Sequence, residues 1–139
     1  MLFDKELLFS DAQAITADAA STNVVKMDGR LKEIAFGTPI PVRIQCVEDF
    51  TGTGITSVAV KIQTSVDEAF TSPIVLAETT IPAASLKAGY VAPINFIPAG
   101  NKGFMRVYYD VTLENGGSIT KGKFTAGVVA ANDNSYQDM

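Results

Sequence analysis

Histidine and tryptophan are absent from this chain of 139 residues, and cysteine occurs once, as Cys46. Histidine is the commonest general base and transition-metal ligand, so its absence excludes Ser-His-Asp and Cys-His catalytic sites. A lone cysteine cannot form an internal disulfide. We therefore expect a protein that is not an enzyme and that uses no cofactor and no metal.

Long apolar runs and basic clusters are also missing. No stretch approaches the ~18 apolar residues that span a bilayer, and charges in Met1–Glu6 interrupt the apolar run of a signal peptide. The 11 Lys+Arg residues are scattered among 15 Asp+Glu, for a formal net charge of −4. Because phosphate binding requires a basic patch, we expect neither nucleic acid nor a membrane among its partners.

What the chain does contain is apolar and polar residues in alternation. The clearest case is Thr56–Thr64, in which Val58, Val60 and Ile62 share one face. A period of two places one face of a strand on a core and the other in water. The same pattern predicts strands at Pro41–Val47, Phe104–Leu113 and Ser118–Val128.

Four further segments predict weaker strands: Phe3–Phe9, Asn23–Met27, Ile74–Glu78 and Tyr90–Ile97. Pro93 makes the last of these an edge or bulged strand, because proline cannot donate to the hydrogen-bond ladder. No stretch shows a long helical periodicity. Strands without helical crossovers favour antiparallel packing over a parallel α/β sheet.

Local turn chemistry predicts the connections. Asn115-Gly116 is typical of a two-residue type I′ hairpin turn. Gly52-Thr53-Gly54 predicts a flexible connection between two strands, and Pro82–Leu86 predicts a single helical turn.

These patterns predict an all-β fold, a jelly-roll or Greek-key β-sandwich of about eight strands in two packed sheets. One domain would cover residues 1–139, with an N-terminal strand and possible arm in 1–30 and a flexible polar tail at 131–139. Asp11–Asn23 is rich in Ala, Ser, Thr and Asp. It has two interpretations: a surface loop, or an arm that orders against a partner.

Several single residues are candidates for contact with a partner. Cys46 falls at an inward strand position and predicts a buried small hydrophobe rather than a reactive thiol. Tyr108 points outward and could anchor an interface. Phe50 and Phe70 lie in or beside loops, as core caps or as interface anchors. The candidate interface residues are Leu2, Phe3, Leu7, Phe50, Phe70 and Tyr108.

Six strings of small and polar residues occur in a familiar order: Phe3–Leu7, Ser10–Thr16, Ala20–Val25, Gln63–Pro73, Ile81–Tyr90 and Gly122–Val128. Together they resemble the capsid cement (decoration) proteins of tailed bacteriophages, of the kind found in a Bordetella short-tailed phage. The resemblance spans about Leu2 to Val129.

The resemblance implies a jelly-roll homodimer or homotrimer, synthesised in the host cytoplasm and placed on the outer surface of an icosahedral capsid. There it would bridge subunits of the major capsid protein and stabilise the shell against the pressure of packaged DNA. The residues alone leave another class open, a carbohydrate- or receptor-binding sandwich of a phage tail or a lectin. The absence of tryptophan weighs against that class.

Overall fold

The fold is antiparallel and all-β in the computed structural model, which describes residues 3–26, 40–98, 100 and 102–129. The strands are β1 (Phe3–Ala14), β2 (Ala19–Ala20), β3 (Val25–Lys26), β4 (Val42–Ser65), β5 (Ile74–Pro82) and β6 (Phe104–Val129). A 3₁₀ turn at Ala83–Ser85 follows β5. The strands form one sheet in the order β1-β6-β4-β5, and β2 and β3 also pair with β6. The all-β prediction is confirmed.

Two long strands, β4 with 24 residues and β6 with 26, form the centre of this sheet. Residues 42–53 of β4 pair with 118–128 of β6, and 55–65 of β4 pair with 104–113 of β6. Shifts of register, or β-bulges, interrupt the ladder between Cys46 and Ser57. Bulges bend the strand that contains them. The two strands therefore make a single long ribbon that can turn in its middle.

The ribbon folds back on itself. An extended strand at about 3.3 Å per residue would hold Tyr109 and Phe124 of β6 roughly 50 Å apart. Their ring centroids are instead 5.1 Å apart, with the rings stacked at 22°. Glycines make the bend possible: Gly54 has φ +65°, and a Cβ on Gly117 would lie 2.8 Å from the Thr53 carbonyl oxygen.

The bend divides the sheet into two halves that face each other. Half A contains β1, residues 42–53 of β4, 118–129 of β6 and the segment 90–97. Half B contains β2, β3 and β5 with 55–65 of β4 and 104–113 of β6. The segment 90–97 is bound to β4 by bridges such as Gln45↔Val91 and by the hydrogen bond from Ala92 N to Ile44 O, 2.8 Å.

The predicted strand count and the observed one differ for this reason. Each of the eight predicted segments has a counterpart among the described residues, and Ala19–Ala20 adds a short strand. Apart from the segment 90–97, they are joined into six strands, however, and these strands form one sheet instead of the two predicted. β4 and β6 each contribute a segment to both halves without a break. The segment 90–97 is held by isolated bridges, as expected for an edge interrupted by Pro93.

The predicted hairpin at Asn115-Gly116 is wrong. In the described pairings, the segments on either side of it pair with β4 and not with each other. The connection predicted at Gly52-Thr53-Gly54 is also wrong, because these residues lie inside β4, and the segments on either side of them pair with β6. Both glycine-rich sites form the bend of the ribbon, because the partner strand and not the local turn decides the pairing. The helical turn predicted at Pro82–Leu86 is confirmed.

The core lies between the two halves, and the predicted alternation is confirmed in all four central segments. The following inward side chains are completely buried: Val42, Ile44, Cys46, Val58, Val60, Ile62, Met105, Val107, Tyr109, Phe124 and Ala126. Val111 and Leu113, predicted on the same face as Tyr109, are only partly buried as β6 approaches the bend. Full burial of an aliphatic or aromatic side chain contributes about 1.5–3 kcal/mol.

A polar link joins the two halves inside this core. The Tyr109 hydroxyl, in half B, donates to Ser10 Oγ of β1, in half A, at 2.9 Å. Ser10 Oγ donates in turn to Gln13 Oε1 at 2.8 Å. Tyr109 and Ser10 are completely buried, and burial raises the pKa of the Tyr109 phenol. Buried hydroxyls need such partners, so the bond fixes how the halves align.

The segment Asp11–Asn23 is anchored to the sheet on both sides of an exposed bend. Its first residues continue β1 along β6, and Ala19–Ala20 pairs with Tyr108 and Tyr109 of β6. Ile15 between them is completely buried. Within this segment, the expected surface loop is limited to the exposed bend at 16–18 and to Thr22 and Asn23, and Asn23 N donates to Phe9 O of β1 at 3.0 Å.

The link between the halves leads to a prediction for Tyr109→Phe. Removing the buried hydroxyl should lower the free energy of unfolding by about 1 kcal/mol, since a hydrogen bond in the core is lost. Tyr108→Phe is the matched control, because the Tyr108 hydroxyl bonds to no described residue; we expect a change within ~0.5 kcal/mol. Urea unfolding of both variants measures the difference. Equal losses would contradict this account of the core.

Candidate interaction surface

The outer face of half B carries an arginine with two aromatic rings beside it. Because Met105 and Val107 point inward, the alternation places Arg106 and Tyr108 on the outside of β6. The Arg106 Cζ atom lies 4.2 Å from the centroid of the Phe70 ring and 5.5 Å from that of Tyr108. Its Nε donates to Gln63 Oε1 at 2.9 Å. We call Gln63, Phe70, Arg106 and Tyr108 the Arg106 clamp.

The guanidinium of Arg106 has no carboxylate partner among the described residues. Two lysines on the outer faces do have one: Lys61 Nζ lies 3.1 Å from Asp110 Oδ2, and Lys123 Nζ lies 3.7 Å from Glu48 Oε2. Partial burial lowers the pKa of Arg106, although an arginine remains charged in proteins. The clamp is thus a positive charge held by its neighbours, and the two Nη groups of Arg106 make no hydrogen bond to a described residue.

The loop between β4 and β5 positions Phe70. Phe70 has φ +54°, a left-handed conformation that costs a residue other than glycine about 1–3 kcal/mol. Asp67 holds the loop closed. Its Oδ1 accepts from Ser65 Oγ at 2.7 Å, and its Oδ2 accepts from Thr71 Oγ1 at 2.7 Å and from Thr71 N at 3.3 Å.

These bonds, with that from the Ser65 hydroxyl the strongest, lower the pKa of Asp67. A carboxylate that accepts several hydrogen bonds is stabilised in its charged form. Asp67 therefore remains ionised and keeps the loop in the shape that presents Phe70, which is 5% exposed, to the guanidinium.

One exposed aliphatic side chain, Val75, lies in the same cross-strand row as the clamp. It is 44% exposed. Val75 of β5 pairs with Gln63 of β4, which pairs with Arg106 of β6, so a row crosses three strands. In the described pairings β5 is the outer strand of half B. An oriented arginine, aromatic rings and an exposed aliphatic group are the composition of protein contact surfaces.

The structure brings two of the residues that the sequence nominated for an interface, Phe70 and Tyr108, close to Arg106. Sequence reasoning missed Arg106 itself. Its signal was available, since an outward arginine precedes an outward tyrosine by one strand repeat. What the strand pattern could not supply was the loop that brings Phe70 to the guanidinium.

The other nominated residues lie elsewhere. Phe50 is 8% exposed and its ring centroid lies 5.4 Å from that of Phe124, which fits the core-cap interpretation. Phe3 and Leu7 belong to β1 in half A, and for these two residues the structure describes the backbone only. Leu2 and the predicted tail 131–139 lie outside the described residues. The nominated residues therefore do not form one continuous site.

Cys46 is completely buried in half A, as predicted. Its S–H donates to Glu48 O at 3.2 Å, and desolvation raises the pKa of the thiol. Reactive cysteines have the opposite properties, exposure and a lowered pKa. Cys46 is a small core hydrophobe.

Other chemical features are few within the part of the chain that the structure describes. It contains no group of histidine, cysteine and acidic side chains able to hold a metal, and no helix long and apolar enough to cross a membrane. An open depression of about 310 Å³ at the bend is lined by Ala17, Asp18, Val111 and Leu113. Asp18 Oδ1 accepts a hydrogen bond there from the backbone N of Val111 at 2.7 Å, so this carboxylate has a structural role in holding the bend 16–18 on β6.

The chain is a small all-β protein built on one folded antiparallel sheet, with the Arg106 clamp on an outer face. The chain belongs to the Bbp16 family, whose model matches residues 9–128 and so includes both sheet halves and the Arg106 clamp. The name of the family points to a Bordetella phage protein. A search of curated proteins gave no significant match.

The role of Asp67 in the loop is testable by NMR. Its pKa should lie below the ordinary value near ~3.9, so the stability it contributes is present above that pH and is lost as the pH falls through the folded-state pKa. Asp67→Asn should speed amide exchange of Thr71 and weaken the contact of Phe70 with Arg106. Glu68→Gln removes a neighbouring charge that makes no such bonds and should leave both unchanged. A Thr71 amide that is equally protected in both variants would refute the role.

The burial of Cys46 predicts slow thiol chemistry. An aromatic disulfide reagent should label the native protein only through opening of the core, and label it rapidly in concentrated urea. Rapid stoichiometric labelling of the native protein would show that the thiol is accessible. The absorbance of the released thiolate follows both reactions.

Proposed function

We propose that this protein is a structural component of a phage virion, a capsid cement protein that acts without catalysis. It would bind the outer surface of an icosahedral capsid and bridge subunits of the major capsid protein against the pressure of packaged DNA. The observation that carries the proposal is membership of the Bbp16 family over residues 9–128. The sequence resemblance to capsid cement proteins supplies the specific role.

The mechanical character of the fold supports this role. A protein that bridges shell subunits has to transmit tension between its contact points. Here β4 and β6 run through both halves of the sheet, with 24 and 26 residues, so load passes along continuous backbone and a ladder of hydrogen bonds. The buried bond between Tyr109 and Ser10 resists separation of the halves.

A homodimer or homotrimer suits the same role. Linked subunits that engage several shell sites gain strength through effective concentration, even where each contact is weak. β1 and β5 are the outer strands of the main path of the sheet and are available to make contacts between copies or with the shell. Phe3 and Leu7 of β1 remain our candidates for such contacts.

The competing class, a glycan- or receptor-binding module, needs aromatic faces free to stack on a ligand. The centroid of the Tyr108 ring instead lies 5.5 Å from Arg106 Cζ, and Phe70 is buried. No feature of the described residues favours the competing class, and we retain the cement role.

The proposal is tested with capsid shells that lack the protein. Adding purified protein should decorate the outer surface in numbers comparable to those of the major capsid protein, and should raise the temperature and osmotic shock at which the shells rupture. Cryo-electron microscopy measures the decoration, and a heating series measures the resistance to rupture. Shells incubated with an unrelated β-sandwich of similar size serve as the control. A copy number of only a few per particle, or unchanged rupture, would rule out the role.

A further inference from the structure

We propose that the Arg106 clamp is a docking point for a carboxylate of the capsid protein, an aspartate or glutamate side chain flanked by apolar residues. The inference rests on the proposed cement function and specifies which side chains make the contact. It starts from a charged group that the fold orients but leaves without an acidic partner.

The geometry of Arg106 suits a carboxylate. Its Cζ atom lies 4.2 Å from the centroid of the Phe70 ring and 5.5 Å from that of Tyr108, and its Nε donates to Gln63 Oε1, so three side chains restrict its movement. Its two Nη groups make no hydrogen bond to a described residue. The planar guanidinium presents paired donors that match the two oxygens of a carboxylate. Because the side chain is ordered beforehand, binding loses less conformational entropy.

The clamp is costly to the isolated chain, which argues for a purpose outside it. Phe70 adopts a left-handed backbone conformation, and the charge of Arg106 is partly desolvated without an ion pair in return. Strain of this kind is concentrated at functional sites. Arg43 on half A provides the contrast: its Nε bonds to Gln45 at 3.3 Å, but no aromatic ring among the described residues holds it.

The surroundings define the partner as a protein. Val75, in the same cross-strand row as Gln63 and Arg106, offers apolar contact that would help to exclude water from the ion pair, as around interface hot spots. Acidic groups also lie nearby: Asp110 is ion-paired to Lys61, and Glu78 pairs across the strands with Lys61. A polyanionic nucleic-acid backbone would meet these carboxylates along its length, whereas a single carboxylate of a protein has to approach only the guanidinium.

The experiment measures binding of variants to shells that lack the protein, by co-sedimentation over a range of concentrations. Arg106→Gln should weaken binding roughly thirtyfold, as expected for a hot-spot side chain. Arg106→Lys should be intermediate, since it keeps the charge but loses the planar pair of donors. Arg43→Gln is the matched control and should bind like the unmodified protein. Thermal unfolding establishes that all variants are folded.

The outcomes separate the inference from the function on which it rests. If the unmodified protein binds and folded Arg106→Gln binds equally well, the clamp inference is wrong and the cement function stands. If the unmodified protein does not bind, both fall. Light scattering tests whether Arg106 contacts a second copy of the chain, and a duplex-DNA shift assay tests whether it contacts phosphate. A change in oligomer mass in Arg106→Gln would assign the contact to a second copy, and a loss of DNA binding would assign it to phosphate. Either result overturns the inference.

Discussion

The pairing of β4 with β6 along their whole length is the interaction on which the rest of the structure depends. Because the same two strands are partners on both sides of the bend, one cannot turn without the other, and the two halves of the sheet meet face to face. The stacked rings of Tyr109 and Phe124 lie on the same strand and yet pack across the core. The core is therefore closed by folding one sheet, and its apolar faces are buried without a second sheet.

The same strand geometry builds the outer surface. The alternation that buries Met105 and Val107 places Arg106 and Tyr108 outside, on a central strand rather than on a loop. A loop completes the clamp, but Asp67 ties that loop to the end of β4 through Ser65. Sites supported by central strands hold their geometry more closely than sites built on loops. The core and the Arg106 clamp are therefore both held in place by the same central strands, β4 and β6.

Membership of the Bbp16 family connects this architecture with phage biology. The polar groups of the interior are used to align the two halves, as Tyr109 and Ser10 do. Arg106 lies on the outside and has aromatic neighbours but no acidic partner among the described residues. That combination makes the Arg106 clamp the part of the surface on which our proposal for a partner contact rests.

By itself, the sequence determined the all-β class and the inward face of each central strand, because a period of two depends only on neighbours along the chain. It also nominated Phe70 and Tyr108. Tertiary structure decided the rest. Asn115-Gly116 became a bend and not a hairpin, one sheet replaced two, and Arg106 came to lie over Phe70. Each of these depends on which distant segment becomes the partner of β4 or β6, and the burial of a shared core, rather than local turn preference, selects that partner.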